Sequence, residues 1–219
     1  MKENYTHIAV VLDRSGSMDS IKDDTIGGFN TFLKGQKEAP GEATFTLIQF
    51  DHEYTPVYEM DDVKYILPLG PATYQPRGST ALLDAIGRTI SETGTALSKM
   101  REEDRPAKVV FVVITDGFEN ASREFSADTI KDMISCQTHI YKWEFVFLGA
   151  NQDAIMTAGD LGMNVNNAMT YAANSMGTNC MYTSLNSNTT AYRKGTTTSM
   201  SWTSEDKKKQ EEAENSTTN

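Results

Sequence analysis

Three runs of the chain are almost wholly apolar: "HIAVVL" at 7–12, "KVVFVVIT" at 108–115 and "WEFVFLGA" at 143–150. Each is too short for a buried helix and rich in Val, Ile and Phe, which reads as a strand covered on both faces. Strands of that kind belong to a parallel sheet with helices above and below it, so these runs restrict the chain to an α/β arrangement. The intervening segments fit. Residues 20–35 place Ile21, Ile26, Phe29, Phe32 and Leu33 near one helical face, and residues 81–100 do the same with Leu83, Ile86, Ile90 and Leu97. Ser126 reads as the N-cap of a helix over 127–137, with Phe125 and Ile130 placed as a hydrophobic staple. A short helix over 152–161 stops at Gly162.

Two further β-rich stretches, 43–50 and 54–60, are separated only by Asp51, His52 and Glu53, which implies an antiparallel hairpin. Pro56 cannot donate to a ladder, so the second of them belongs at a sheet edge. "MNVN" at 163–166 is expected to be a last short strand, and Met181, Leu185 and Tyr192 mark a weakly encoded helix over 176–194. The order predicts an α/β sandwich: a mostly parallel sheet, one antiparallel edge strand, helices on both faces. The length of 219 residues suits one domain. From 196 onward apolar residues are few and charges come in mixed blocks, so the expected division is a domain over 1–195 and a disordered polar tail over 196–219. Within that tail "SEDKKKQEEAE" could form a short solvated helix.

A formal net charge of -10 excludes a basic nucleic-acid or anionic-membrane surface. No apolar run has membrane-spanning length, and the apolar stretch near the N-terminus is too short for a signal peptide, so a cytoplasmic location is expected. Cys136 and Cys180 lack the spacing of a redox or zinc pair and read as reduced, inert thiols. His7, His52 and His139 are scattered singly, which argues against zinc.

In a parallel α/β sheet, ligands bind beyond the carboxyl ends of the strands. Three polar clusters fall there: Asp13-x-Ser15-x-Ser17, "RGST" at 77–80, and "TDGFEN" at 115–120. Carboxylates and hydroxyls are hard oxygen donors that suit Mg²⁺ or Mn²⁺. Hydroxyls are neutral, so an ion held directly by Ser15, Ser17 and Thr80 keeps most of its charge and seeks a further oxygen anion, such as a partner's carboxylate. Each cluster also has a plain reading. Asp13, Ser15 and Ser17 are ordinary N-cap residues, Thr80 suits the cap of the following helix, and Asp116-Gly117 suits a turn. Glu119, Asn120 and Arg77 read as solvated surface, and Asn151 and Gln152 as turn residues. Asp19, Asp23 and Asp24 suit the first turns of a helix, with a second cation site as the alternative.

The three clusters together resemble the von Willebrand factor A (VWA) domain and its metal-ion-dependent adhesion site. The D-x-S-x-S, distant Thr and distant Asp of that pattern are met by Asp13, Ser15, Ser17, Thr80 and Asp116. "VVLDRSGSM", "RGSTALLDAI" and "VVFVVITDGFEN" read like the VWA blocks of bacteria and their phages. The resemblance implies a Rossmann-like six-stranded sheet, with the metal (Mg²⁺, or Mn²⁺ or Ca²⁺) ligated directly by Ser15, Ser17 and Thr80. Asp13 and Asp116 would act directly or through water. It implies a non-enzymatic module that captures a carboxylate of a protein partner. A magnesium-dependent phosphatase of the haloacid-dehalogenase type is the enzymatic alternative. That class needs an acid where Ser15 stands, and no lysine between Thr80 and Asp116 is placed to neutralise a phosphate. A metal site serving mainly stability is the third reading.

Overall fold

The structure is a computed structural model that describes residues 1–150 and 153–216. Its centre is β1 (Lys2–Asp13), which pairs in parallel with β2 (Glu42–Phe50) on one side and with β4 (Pro106–Thr115) on the other. β5 (Glu144–Ala150) and β6 (Ala168–Tyr171) extend the parallel sheet beyond β4. β3 (Tyr54–Asp62) closes the opposite edge as the antiparallel return from β2 and carries Pro56, as expected of an edge strand. The strand order is β3-β2-β1-β4-β5-β6, a Rossmann-like six-stranded sheet with one antiparallel edge.

The apolar runs are continuous because alternate residues serve different cores. Ile8, Val10 and Leu12 of β1, with Val110, Val112 and Ile114 of β4, face a core completed by Phe29, Phe32 and Leu33 of α1 (Lys22–Glu38) and by Met181, Tyr182 and Leu185 of α5 (Ser175–Lys194). Ala9, Val11, Phe111 and Val113 face the other core. It is built with Ile86 and Ile90 of α2 (Leu82–Lys99), Ile130 and Ile134 of α3 (Ala127–Tyr141), and Ala154 and Ala158 of α4 (Ala154–Asp160). Each fully buried large side chain contributes about 1.5–3 kcal/mol of transfer free energy, so every strand residue of β1 from Ile8 to Leu12 stabilises one layer or the other.

Several expectations hold with small shifts. Ser126 caps α3 by accepting from the Thr129 amide at 3.2 Å. The weakly encoded helix is α5, and its C-cap Gly195 takes the left-handed conformation that favours glycine (φ 72°). Two expectations are corrected. The last strand is not 163–166. Val165–Asn167 forms a 3-10 turn, and β6 follows at Ala168–Tyr171. Asn167 decides this, because its buried amide donates to the Phe145 carbonyl and to Glu144, ending the turn where pairing with β5 begins.

Of the segment from 196 onward, expected as a disordered tail, residues 196–216 instead fold onto the domain. Met200 and Trp202 enter the first core, and α6 (Ser204–Asn215) begins in a capping box between Thr203 and Asp206. Gln210 is buried; its side chain accepts from the Ala172 amide and donates to the Gly177 carbonyl. Composition suggested disorder because most of the segment is polar, but two apolar anchors and one buried amide supply the contacts that order it. Among the described residues no helix is long and apolar enough to cross a membrane.

Candidate metal centre

β1 and β4 lie side by side, but the chain leaves them towards opposite halves of the sheet, β1 to β2 and β4 to β5. Their carboxyl ends therefore flank the crevice where open α/β sheets bind ligands. Asp13 ends β1 and is fully buried, and Asp116 follows β4 and is half-buried. Ser15 and Ser17 lie where β1 runs into a 3-10 turn (Gly16–Ile21), and Thr80 lies two residues before α2.

Gly117 shows how closely these groups converge. A Cβ built there would stand 2.8 Å from the Thr80 hydroxyl and 3.5 Å from each of the Ser15 and Ser17 hydroxyls. The Ser15 and Ser17 hydroxyls are 3.2 Å apart, and Ser17 donates to Asp116 at 2.6 Å. The structure thus gathers Ser15, Ser17, Thr80 and Asp116 around one point, with Asp13 beneath. None of the hydroxyls does the work of a cap. The turn at Ser15, α1 at Ile21 and α2 at Ala81 all begin without a side-chain cap bond. Ser15 and Thr80 are buried, while Ser17 is exposed, so the cluster has a closed floor and an open side.

Asp13 is held on both oxygens. One accepts from the Ser15 amide at 2.6 Å and the other from the Thr115 hydroxyl at 2.5 Å. Burial nevertheless pushes its pKa up to about 6, against the opposing pull of the Thr115 and Ser15 hydrogen bonds and with a smaller push from Asp116. Burial also raises Asp116, and the Ser17 hydroxyl counters it. Neither carboxylate forms an ion pair with a cationic side chain among the described residues. Two partly desolvated acids surrounded by neutral donors are what a divalent ion would satisfy. Among the described residues no group of three or more His, Cys, Asp or Glu gathers as a metal cage, so an ion here would have to draw on the hydroxyls as well.

Glu119, Asn120 and Arg77, expected as solvated surface, hold the frame, as does Asp24, expected in the first turn of a helix. The Asn120 side chain accepts from the Thr80 amide at 2.9 Å, and its own amide returns to the Thr80 carbonyl at 3.0 Å. Glu119 accepts from the amides of Ala121, Ser122 and Leu83, which ties the loop after β4 to the start of α2. Arg77 is no free surface charge, because it bridges the buried Asp51 and Glu53. Asp24 accepts from the Ser175 hydroxyl at 2.8 Å, joining α1 to α5. Asn151 and Gln152 lie outside the described residues. The spacing of Asn120 and Glu119 after Asp116 was visible, but nothing in the sequence showed which amides they would meet. A cleft of about 770 Å³ opens beside Thr80, between the Tyr54 end of β3, the first turns of α2 and the loop at 120–124. Ser79, Ala85, Arg88, Asn120 and Arg123 are among its walls.

The family model of the von Willebrand factor type A domain matches residues 7–154, more than half of the chain. The chain belongs to the VWA family. Domains of this family commonly mediate metal-dependent protein interaction. Solved VWA structures share the fold. Proximal thread matrix protein 1 from the mussel byssus, described with a zinc-occupied MIDAS motif, is 14% identical with a TM-score of 0.56, over 85% of this chain and 46% of that one. A von Willebrand factor type A protein from Catenulispora acidiphila is 12% identical with a TM-score of 0.57, over 85% of this chain and 43% of that one. The vWF domain of the type V pili tip protein Mfa5 from Porphyromonas gingivalis is 9% identical with a TM-score of 0.59, over 83% of this chain and 95% of that one. This VWA chain spans less than half the length of the first two. Identities this low establish the fold alone. A search of curated proteins finds no match.

Proposed function

We propose that this VWA chain is a non-enzymatic protein-binding module that works through a divalent cation. Ser15, Ser17 and Thr80 would hold the ion through their hydroxyls, and Asp13 and Asp116 would hold it directly or through water. The observation that carries this reading is the convergence of those hydroxyls around Gly117 beside two carboxylates that lack a cationic partner among the described residues. Mg²⁺ fits the hard donors best, with Mn²⁺ and Ca²⁺ as substitutes. When bound, the ion supplies a strong positive centre with oxygen positions left for a carboxylate of a protein partner. The residues of the chain do the rest. The buried floor keeps Asp13 and Ser15 fixed, the open side at Ser17 admits the partner, and the cleft beside Thr80 offers room for its neighbouring residues. The cytoplasm suits the two unpaired thiols, exposed Cys136 and partly covered Cys180.

The test is titration of chelator-stripped protein with Mg²⁺, Mn²⁺ and Ca²⁺, followed by calorimetry and melting temperature. The expected result is saturable binding that an Asp13→Ala, Ser15→Ala double variant loses while remaining folded. Capture of partners should then depend on the ion and vanish with chelator. Absence of binding at millimolar ion would remove the metal from this reading.

A further inference from the structure

Tyr74 lies in the connection from β3 to α2, 61 positions from Asp13 in sequence, and its hydroxyl donates a 2.6 Å hydrogen bond to the Asp13 main-chain carbonyl. Its side chain is fully buried, so water cannot take over that bond. The same connection is tied to the same loop twice more. The Arg77 amide donates to the Arg14 carbonyl at 2.7 Å, and the Gly16 amide donates to the Gly78 carbonyl at 3.1 Å. The connection is itself anchored. The Tyr74 amide donates to the Gly70 carbonyl at 3.0 Å, and the Gln49 side chain of β2 donates to the Thr73 carbonyl at 3.0 Å. Thr80 ends this connection. One segment therefore carries Thr80 and also braces the loop that carries Asp13, Ser15 and Ser17.

We propose that Tyr74 is a positioning residue of the metal centre: its bond to the Asp13 carbonyl fixes the loop that presents Asp13, Ser15 and Ser17 against Thr80, and so sets ion affinity and the preference for Mg²⁺ over Ca²⁺. The inference rests on the reading that this cluster binds a divalent ion. Removing the hydroxyl leaves a buried carbonyl without its donor, which the loop relieves by moving. Partners one step behind a metal ligand typically cost about 10–100-fold in metal affinity when removed. Mg²⁺ demands near-ideal octahedral geometry and Ca²⁺ tolerates irregular sites, so a loosened loop penalises Mg²⁺ more.

The core supplies a matched control. Tyr182 of α5 is as well buried as Tyr74 and belongs to the same apolar cluster, but among the described residues its hydroxyl has no hydrogen-bond partner, and its ring lies against Gly28 of α1. Tyr182→Phe removes the same atom from the same core without touching the loop.

The experiment titrates the full, ion-stripped chain with MgCl₂ and separately with CaCl₂, for the wild type, Tyr74→Phe, Tyr182→Phe and Asp13→Asn. Amide hydrogen exchange at Ser15 and Gly16 is measured on the ion-free proteins. Tyr74→Phe should lose about tenfold or more in Mg²⁺ affinity and less in Ca²⁺ affinity. Its Ser15 and Gly16 amides should exchange faster, while Tyr182→Phe stays within about twofold of wild type throughout. Wild-type Mg²⁺ affinity in Tyr74→Phe, or an equal loss in both tyrosine variants, overturns the positioning role alone. A wild type that takes up neither ion, or an Asp13→Asn variant that binds as well as it does, overturns the metal reading and the inference with it.

Discussion

Asp13 ends β1 and Asp51 follows its neighbour β2, and both side chains are fully buried. Asp51 meets two arginines: Arg14 reaches it at 3.0 Å and Arg77 at 2.9 Å. It also accepts from the Glu53 amide at 2.6 Å, so the turn between β2 and β3 folds around it. Among the described residues Asp13 meets only neutral donors, the Ser15 amide and the Thr115 hydroxyl. One buried acid is neutralised from within the chain and the other is not. An uncompensated buried carboxylate costs several kcal/mol relative to a paired one, and perturbed acids of that kind concentrate at functional sites. The contrast separates scaffold from site. Asp51 holds the edge of the crevice together, and on the proposed reading Asp13 would be offset by an external cation.

Substitutions should sharpen that contrast, beginning with the scaffold. Asp51→Ala strands Arg14, which is mostly covered, and should cost about 3–5 kcal/mol in urea unfolding of the ion-free protein. Asp13→Asn removes a buried charge that no cationic side chain among the described residues offsets, so it should be at least as stable as wild type under the same conditions. Equal losses in the two variants would erase the distinction. Next in size, Mg²⁺ at a hundred times its dissociation constant should stabilise the wild type by about 2.7 kcal/mol. The same addition to Asp13→Asn should leave its melting temperature unchanged. Gly117→Ala places a methyl group 2.8 Å from the Thr80 hydroxyl, and should lower ion affinity about tenfold with little change in ion-free stability.

The pH dependence follows from the directions of the shifts. The folded pKa of Asp13, about 6, lies above its reference value of 3.8, so the folded state takes up its proton more readily than the unfolded state. In ion-free protein this group lowers stability above pH 6, and the penalty disappears as pH falls from 6 towards 3.8. The pKa of His7, buried in β1, is lowered from 6.5 to about 3 by desolvation, so its contribution has the opposite sign and is lost as pH falls through that window. His7 is common to wild type and Asp13→Asn and cancels in their difference, which should narrow as pH falls below 6 in ion-free urea unfolding. The proton also competes with the ion, so Mg²⁺ affinity measured by calorimetry should drop by up to about tenfold per pH unit below 6. The smallest effect is expected at Arg77. Its guanidinium is half exposed, and Arg77→Gln should shift the urea midpoint least of these variants because solvent screens the pair.

Much of the candidate site was legible in the sequence because its oxygen-bearing residues sit at fixed distances from strand ends. Asp13, Ser15 and Ser17 follow directly from β1, and Asp116 directly from β4. The residues behind them were not legible. Tyr74, Asn120 and Glu119 act through main-chain amides and carbonyls of remote segments, and a bond to a main-chain atom leaves no residue-type signature at its other end. The tail misled for a related reason. Trp202 and Met200 are too few to register as an amphipathic pattern, yet they pack into a core assembled by distant elements.

The sequence by itself determined the doubly covered strands, the antiparallel edge at Pro56 and the order of hydroxyl and carboxylate clusters along the chain. Each depends on local chemistry: apolar period, a missing amide donor, spacing after a strand. The tertiary structure alone decided which buried acid is neutralised and which is left unpaired. That outcome depends on where Arg14 and Arg77 point once the sheet is formed, and burial acquires its electrostatic cost only when the surrounding segments have excluded water.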